Sequence, residues 1–188
     1  MLPQFILQLF LVSVFVRGET PPGFEPSIED RLGVTFSDEL RVHPGDRISK
    51  DETKEPPRLD LNPLPDNPPP LLKYYHTKYI VLMIDLDVPH NDTILPFSLS
   101  PGHSSKSNQA EYMAPSPPQG PAHRYVELLF EQPKKYHFPK NFKCHLPKRS
   151  EARLGFDVEE FAKEAGMDRL VAGNWFLVQT GRGEREDL

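Results

Sequence analysis

The 188 residues carry 27 acidic against 22 basic side chains, a formal net charge of −5, which offers no basic face for non-specific nucleic-acid binding. The 22 prolines hold the apolar share at 37%, and because proline cannot donate to a sheet ladder they predict long irregular connections around a limited sheet. The single cysteine, Cys144, excludes an intramolecular disulfide, and the length suits one domain with a real core.

The chain begins with an apolar run, Phe5 to Val16, ending in Val16-Arg17-Gly18. It is too short to span a bilayer comfortably and has the small residues of a cleavage site, so residues 1–18 are expected to be a secretory signal peptide cut after Gly18. The expected product is secreted, with no transmembrane segment once the leader is removed. A membrane anchor or an N-terminal core strand is the alternative.

Residues 19–30 are proline-rich and predict a surface path, and Leu32 to Phe36 alternates weakly as a first strand. Pro44-Gly45-Asp46 signals a turn. Arg58 to Leu61 reads as an edge strand, followed by an exposed polyproline-like loop with prolines at 63, 65, 68, 69 and 70.

Tyr79 to Ile84 is an unbroken apolar and aromatic run, the pattern of a buried strand, and it ends in Asp85, Asp87 and Pro89. Side chains alternate along extended backbone, so the two acids begin on one face. Acids at a buried strand end are costly unless they are hydrogen-bonded or face a ligand. Asn91-Asp92-Thr93 is an N-glycosylation sequon, with Asn91 as acceptor if the leader directs export.

Residues 90–119 read as a long polar loop in which Ile94 to Leu99 is a strand candidate. Tyr125 to Phe130 is a second buried strand, with His123 and Arg124 at its start. His123 and Tyr125 share a face; Arg124 points to the other, where pairing with a buried acid is expected. Cys144 is expected to be buried, the commoner state of a free thiol. Asp157 with Glu160 forms a capping-box pattern, Val158, Phe161, Ala162 and Ala165 make one apolar face, and Gly166 is a natural stop. Val171 to Val178 is a third buried strand, and residues 181–188 form a short polar tail.

If the two motif-bearing strands adjoin, one cavity collects two carboxylates, an imidazole and a phenol, with Pro89, Pro117 and Pro118 as rigid wall. Such a set accepts a phosphate-like anion: the imidazole and phenol donate, and the acids orient them. The plainer alternative is that Asp85 and Asp87 cap turns and His123 is a core residue. Acid–base or metal chemistry is a further alternative. Against it, the chain has no G-x-S-x-G elbow, no H-E-x-x-H pair and no phosphate-cradling glycine loop. A non-enzymatic protein without metal or cofactor is expected.

Asp85, Asp87 and Pro89 match a D-P-D-x-P motif with Leu86 in the place of proline. His123 and Arg124 match G-x-H-R, with Pro121 at the glycine position and Gly120 one residue early. Together with Gly155-Phe156, Phe161-Ala162 and Val171 to Gln179, they resemble the phosphatidylethanolamine-binding protein family over residues 24–180. The resemblance implies a mainly β domain: a large central antiparallel sheet, a smaller sheet and short peripheral helices. It implies that Asp85, Asp87, Pro89, Pro117, His123 and Tyr125 line a pocket for phosphoryl headgroups such as that of phosphatidylethanolamine, hence a phospholipid-type ligand. It also suggests a cis Val88–Pro89 bond and a pocket histidine in the interval 90–119, which Ile94 to Leu99 lacks. Because relatives include a carboxypeptidase inhibitor, the alternative implied is a protein-interaction module that inhibits a secreted hydrolase.

Overall fold

The computed structural model describes residues 19–37, 40–60, 77–88, 93–99 and 110–180. Among them the chain forms strands β1 (Gly33–Thr35), β2 (Arg41–Val42), β3 (Asp46–Ser49), β4 (Arg58–Asp60), β5 (Tyr79–Asp85), β6 (Thr93–Leu99), β7 (His123–Glu131) and β8 (Leu170–Gln179). A 3-10 helix at Lys140–His145 and helices α1 (Ser150–Arg153) and α2 (Val158–Ala165) lie between β7 and β8.

The apolar run of β5 is buried at every position, because the strand is covered on both faces. It lies inside a five-stranded sheet ordered β3-β8-β7-β5-β6, and a three-stranded sheet ordered β2-β1-β4 stands apart. The pleat divides the core. Tyr79, Val81 and Met83 join Tyr125, Leu129 and Phe176 in one cluster with Val34, Phe36 and Val42 of the small sheet. Ile80, Leu82 and Ile84 join Val126, Leu128 and Phe130 in a second cluster with Phe142, Phe156 and Phe161 from the helical side. The result is a small sheet, a large sheet and a helical layer, as expected for the fold class.

Within that architecture the large sheet is antiparallel except at one edge, where β3 runs parallel to β8. The Pro44-Gly45-Asp46 signal falls at the connection between β2 and β3, with Gly45 at φ +88. The candidate strand inside 90–119 is present as β6, antiparallel to β5 and at the edge of the sheet. Pro96 lies opposite Leu82 in that pair, and an edge tolerates its missing N–H. On α2, the Asp157 carboxylate accepts the N–H of Glu160 at 2.9 Å, and Gly166 ends the helix in the left-handed region.

The thiol expectation is corrected. Cys144 is exposed, because the 3-10 helix turns Phe142 inward and leaves Cys144 outside; its Sγ contacts the Asn141 carbonyl at 3.3 Å. The readings made on residues 1–18, on the loop after Asp60, on Pro89 and its peptide bond, on Asn91 and on 181–188 lie outside the described residues. Among the described residues no helix is long and apolar enough to cross a membrane.

Candidate anion site

Register brings the site together. The β5–β7 pairing sets Asp85 directly opposite Tyr125, and His123 lies two residues further along the same face of β7. The His123 Nδ1 sits 2.9 Å from one Asp85 oxygen and 3.1 Å from the other. The Asp87 N–H donates to Asp85 Oδ1 at 2.9 Å. Both members of the pair are nearly enclosed, with 6% of Asp85 and 7% of His123 exposed. Burying a carboxylate there is tolerable because its oxygens are met by donors.

Tyr125 stands beside the pair. It is buried, and burial first, then the charge of Asp85 and a hydrogen bond to it, raise its phenol well above the ordinary range. With Nδ1–H given to Asp85, no hydrogen bond from Nε2 is found among the described residues, and a protonated Nε2 would be a donor for an anion.

The second acid takes a different route. The strand ends at Asp85 and the chain turns at Leu86 and Asp87, so alternation no longer keeps the two acids together. Asp87 accepts the Arg124 backbone N–H at 2.7 Å, Nε at 2.9 Å and Nη2 at 2.7 Å. These hydrogen bonds hold its carboxyl below the usual carboxylate range, outweighing the opposing effect of partial burial. Arg124 therefore pairs with an acid on the face of β7 opposite His123; that acid is Asp87, which is half-buried rather than buried as expected, because it sits in the turn after β5.

Pro117 is buried beside this end of the sheet, and its carbonyl accepts the Thr180 hydroxyl. Gln179 adds a hydrogen bond from Nε2 to the Gly120 carbonyl at 2.8 Å, tying the segment before β7 to the end of β8. Asp85, His123 and Tyr125 thus converge, Asp87 stands one step away through its N–H, and Pro117 backs the segment. Glu127 escaped the sequence reading. It is fully buried two residues beyond Tyr125 on the same face, and burial pushes its carboxyl up to about 8. The signal was available: it is an acid inside the apolar run Tyr125 to Phe130. Among the described residues no group of three or more His, Cys, Asp or Glu could hold a metal ion.

A sequence profile described as phosphatidylethanolamine-binding protein matches residues 37–176. The chain belongs to the phosphatidylethanolamine-binding protein family. It is 42% identical over 197 aligned residues to phomoidride biosynthesis cluster protein N of Talaromyces stipitatus, covering 92% of this chain and all of that protein (100%). It is 40% identical over 72 residues to the carboxypeptidase Y inhibitor of Saccharomyces cerevisiae, covering 37% of this chain and 32% of the inhibitor. The crystal structure of carboxypeptidase Y inhibitor complexed with its cognate proteinase superposes with a TM-score of 0.60 at 22% identity, over 82% of this chain and 85% of that one. At that identity the superposition establishes the shared fold, which agrees with the two-sheet architecture above.

Proposed function

We propose that this member of the phosphatidylethanolamine-binding protein family is a non-enzymatic binding protein whose pocket takes a phosphoryl-type anion. The observation that carries the reading is the buried Asp85–His123 pair, which fixes the imidazole by Nδ1 and leaves Nε2 for a ligand. Tyr125 supports Asp85 from below, and Asp87, Pro89 and Pro117 belong to the proposed rim. The similarity to a biosynthesis cluster protein supports a small-molecule ligand as readily as a phospholipid headgroup. Calorimetry with inorganic phosphate and with phosphoethanolamine, on the wild type and on His123→Ala, tests the reading. Binding that depends on His123 supports it; equal binding or none in both proteins ends it.

A second reading, inhibition of a carboxypeptidase-type hydrolase, is favoured by the match to carboxypeptidase Y inhibitor in sequence and in fold. Titration of such an enzyme with this chain distinguishes the two, since loss of hydrolase activity at stoichiometric ratio requires a protein contact and no small ligand. Export belongs to the same proposal: residues 1–18 act as the leader and Asn91 as a glycan acceptor. The intact mass of protein recovered from the medium would show a start at Glu19 if cleavage follows Gly18.

A further inference from the structure

Glu127 stands at the middle of β7 with no solvent exposure, and neither carboxyl oxygen has a hydrogen-bond partner among the described residues. The pleat aims it between the two sheets, on the face that carries His123 and Tyr125. Its cross-strand neighbours are Met83 on β5 and Asn174 on β8. Met83 has no donor, and Asn174 gives its amide to the carbonyls of Leu32 at 2.9 Å and Val42 at 3.2 Å. Tyr112, from the segment leading into β7, gives its hydroxyl to the Thr53 carbonyl at 2.8 Å. The facing small sheet contributes Val34 and Val42 to this layer.

The ionisable groups described around this layer are acids, phenols and one imidazole: Glu127 and Glu55 both raise the Tyr112 phenol, Asp85 and Tyr112 raise that of Tyr125, and His123, four residues before Glu127 on this face, is held through Nδ1 by Asp85. Burial acts on Glu127, and no cation among the described residues opposes it. A carboxylate in such a place has neither donor nor counter-charge, whereas a neutral carboxylic acid is tolerated.

We propose that Glu127 is a proton-held latch: the inner face of β7 packs with this carboxyl neutral, and ionising it loosens the sheet beneath His123 and Tyr125. In the unfolded chain the group titrates near 4.5, in the folded chain near 8. Between those values the folded protein keeps a proton that the unfolded chain has released. Stability therefore falls as pH rises through this window and levels off above it. The device does not depend on which ligand the pocket takes.

Thermal unfolding of the full chain, wild type against Glu127→Gln and Glu127→Met, from about pH 5 to about pH 9 tests the latch. The Tm of the variants should exceed that of the wild type by a margin that widens by roughly 5–15 °C across this range. A margin that stays constant with pH overturns the proposal. Either variant suffices, since glutamine keeps the shape and methionine supplies an apolar filling. If both unfold at about pH 5, Glu127 makes a bond its neutral form needs, and the latch is wrong. Hydrogen exchange at about pH 9 gives a second readout: amides of 81–85 and 125–129 should exchange faster in wild type than in Glu127→Gln. Equal protection in the two proteins also overturns it.

Discussion

His123 and Asp85 meet across the β5–β7 pair, with Nδ1 of the ring 2.9 Å and 3.1 Å from the two carboxylate oxygens. Both are inside the protein, so the ring cannot swing freely, and the acid fixes it at Nδ1. Removing the ring should weaken phosphate binding by about 1–3 kcal/mol, the range for a lost buried hydrogen bond to a charged group. Calorimetry on His123→Ala checks this, and unchanged affinity with the fold intact would leave His123 as a packing residue. Asp85→Asn should weaken binding in the same direction, because it loosens the hold on Nδ1.

Asp87 and Arg124 make the other ion pair of this corner, and their contribution is to folding. Asp87→Asn should cost about 1–2 kcal/mol at neutral pH, since a two-pronged contact plus a backbone N–H exceeds an ordinary surface pair. The hydrogen bonds of Arg124 lower the Asp87 carboxyl in the folded state. Stability from this pair is thus present at neutral pH and is lost as pH falls through the lowered value. Urea unfolding at neutral and acid pH should show the gap between wild type and variant closing on acidification. Arg124→Lys should recover little, as a point charge cannot reproduce the fork.

Much of this fold is legible in the chain because its centre is written in long apolar runs. Tyr79 to Ile84 and Tyr125 to Phe130 form neighbouring strands, and the pleat then places His123 with Tyr125 without further information. The short strands β2 and β3 are not legible, since Val42 and Ile48 are isolated apolar positions: Val42 pairs with nearby Val34 in a strand of only two residues, and Ile48 pairs with distant Val178. Alternation also fails at Asp87, because it holds only while the backbone stays extended, and the chain turns at Leu86. Cys144 shows the same limit in a helix: its exposure follows from the inward turn of Phe142, which composition does not reveal.

The helical layer rests on an aromatic cluster, and Phe161 is its centre. Its ring lies 4.9 Å from Phe156, 5.2 Å from Phe142 and 5.4 Å from Phe138, and it has no exposure. Phe161→Ala should cost about 3–5 kcal/mol, combining lost burial with a cavity that the sheet cannot close. Denaturant midpoints would measure it, and a cost below about 1 kcal/mol would mean that α2 packs more loosely than these distances indicate.

Gly173 is where the N-terminal segment crosses β8. Its N–H donates to the Asp30 carbonyl at 2.9 Å and its carbonyl accepts the Leu32 N–H at 2.7 Å, so the backbones are locked together there. A Cβ at this position would meet Ile28 Cγ2 at 2.7 Å and Thr20 Cγ2 at 3.3 Å. The first distance is too short for two carbons, and Cγ2 of Ile28 sits on a branched carbon with little room to retreat. Gly173→Ala should therefore destabilise by about 1–3 kcal/mol through crowding. Ile28→Ala removes the offending methyl at its own cost, so the double variant should lose less than the sum of the two single losses. A coupling of roughly 0.5 kcal/mol or more in that direction supports the contact. Strict additivity would mean that the segment before β1 moves aside, and that the two backbone hydrogen bonds do not hold it against β8.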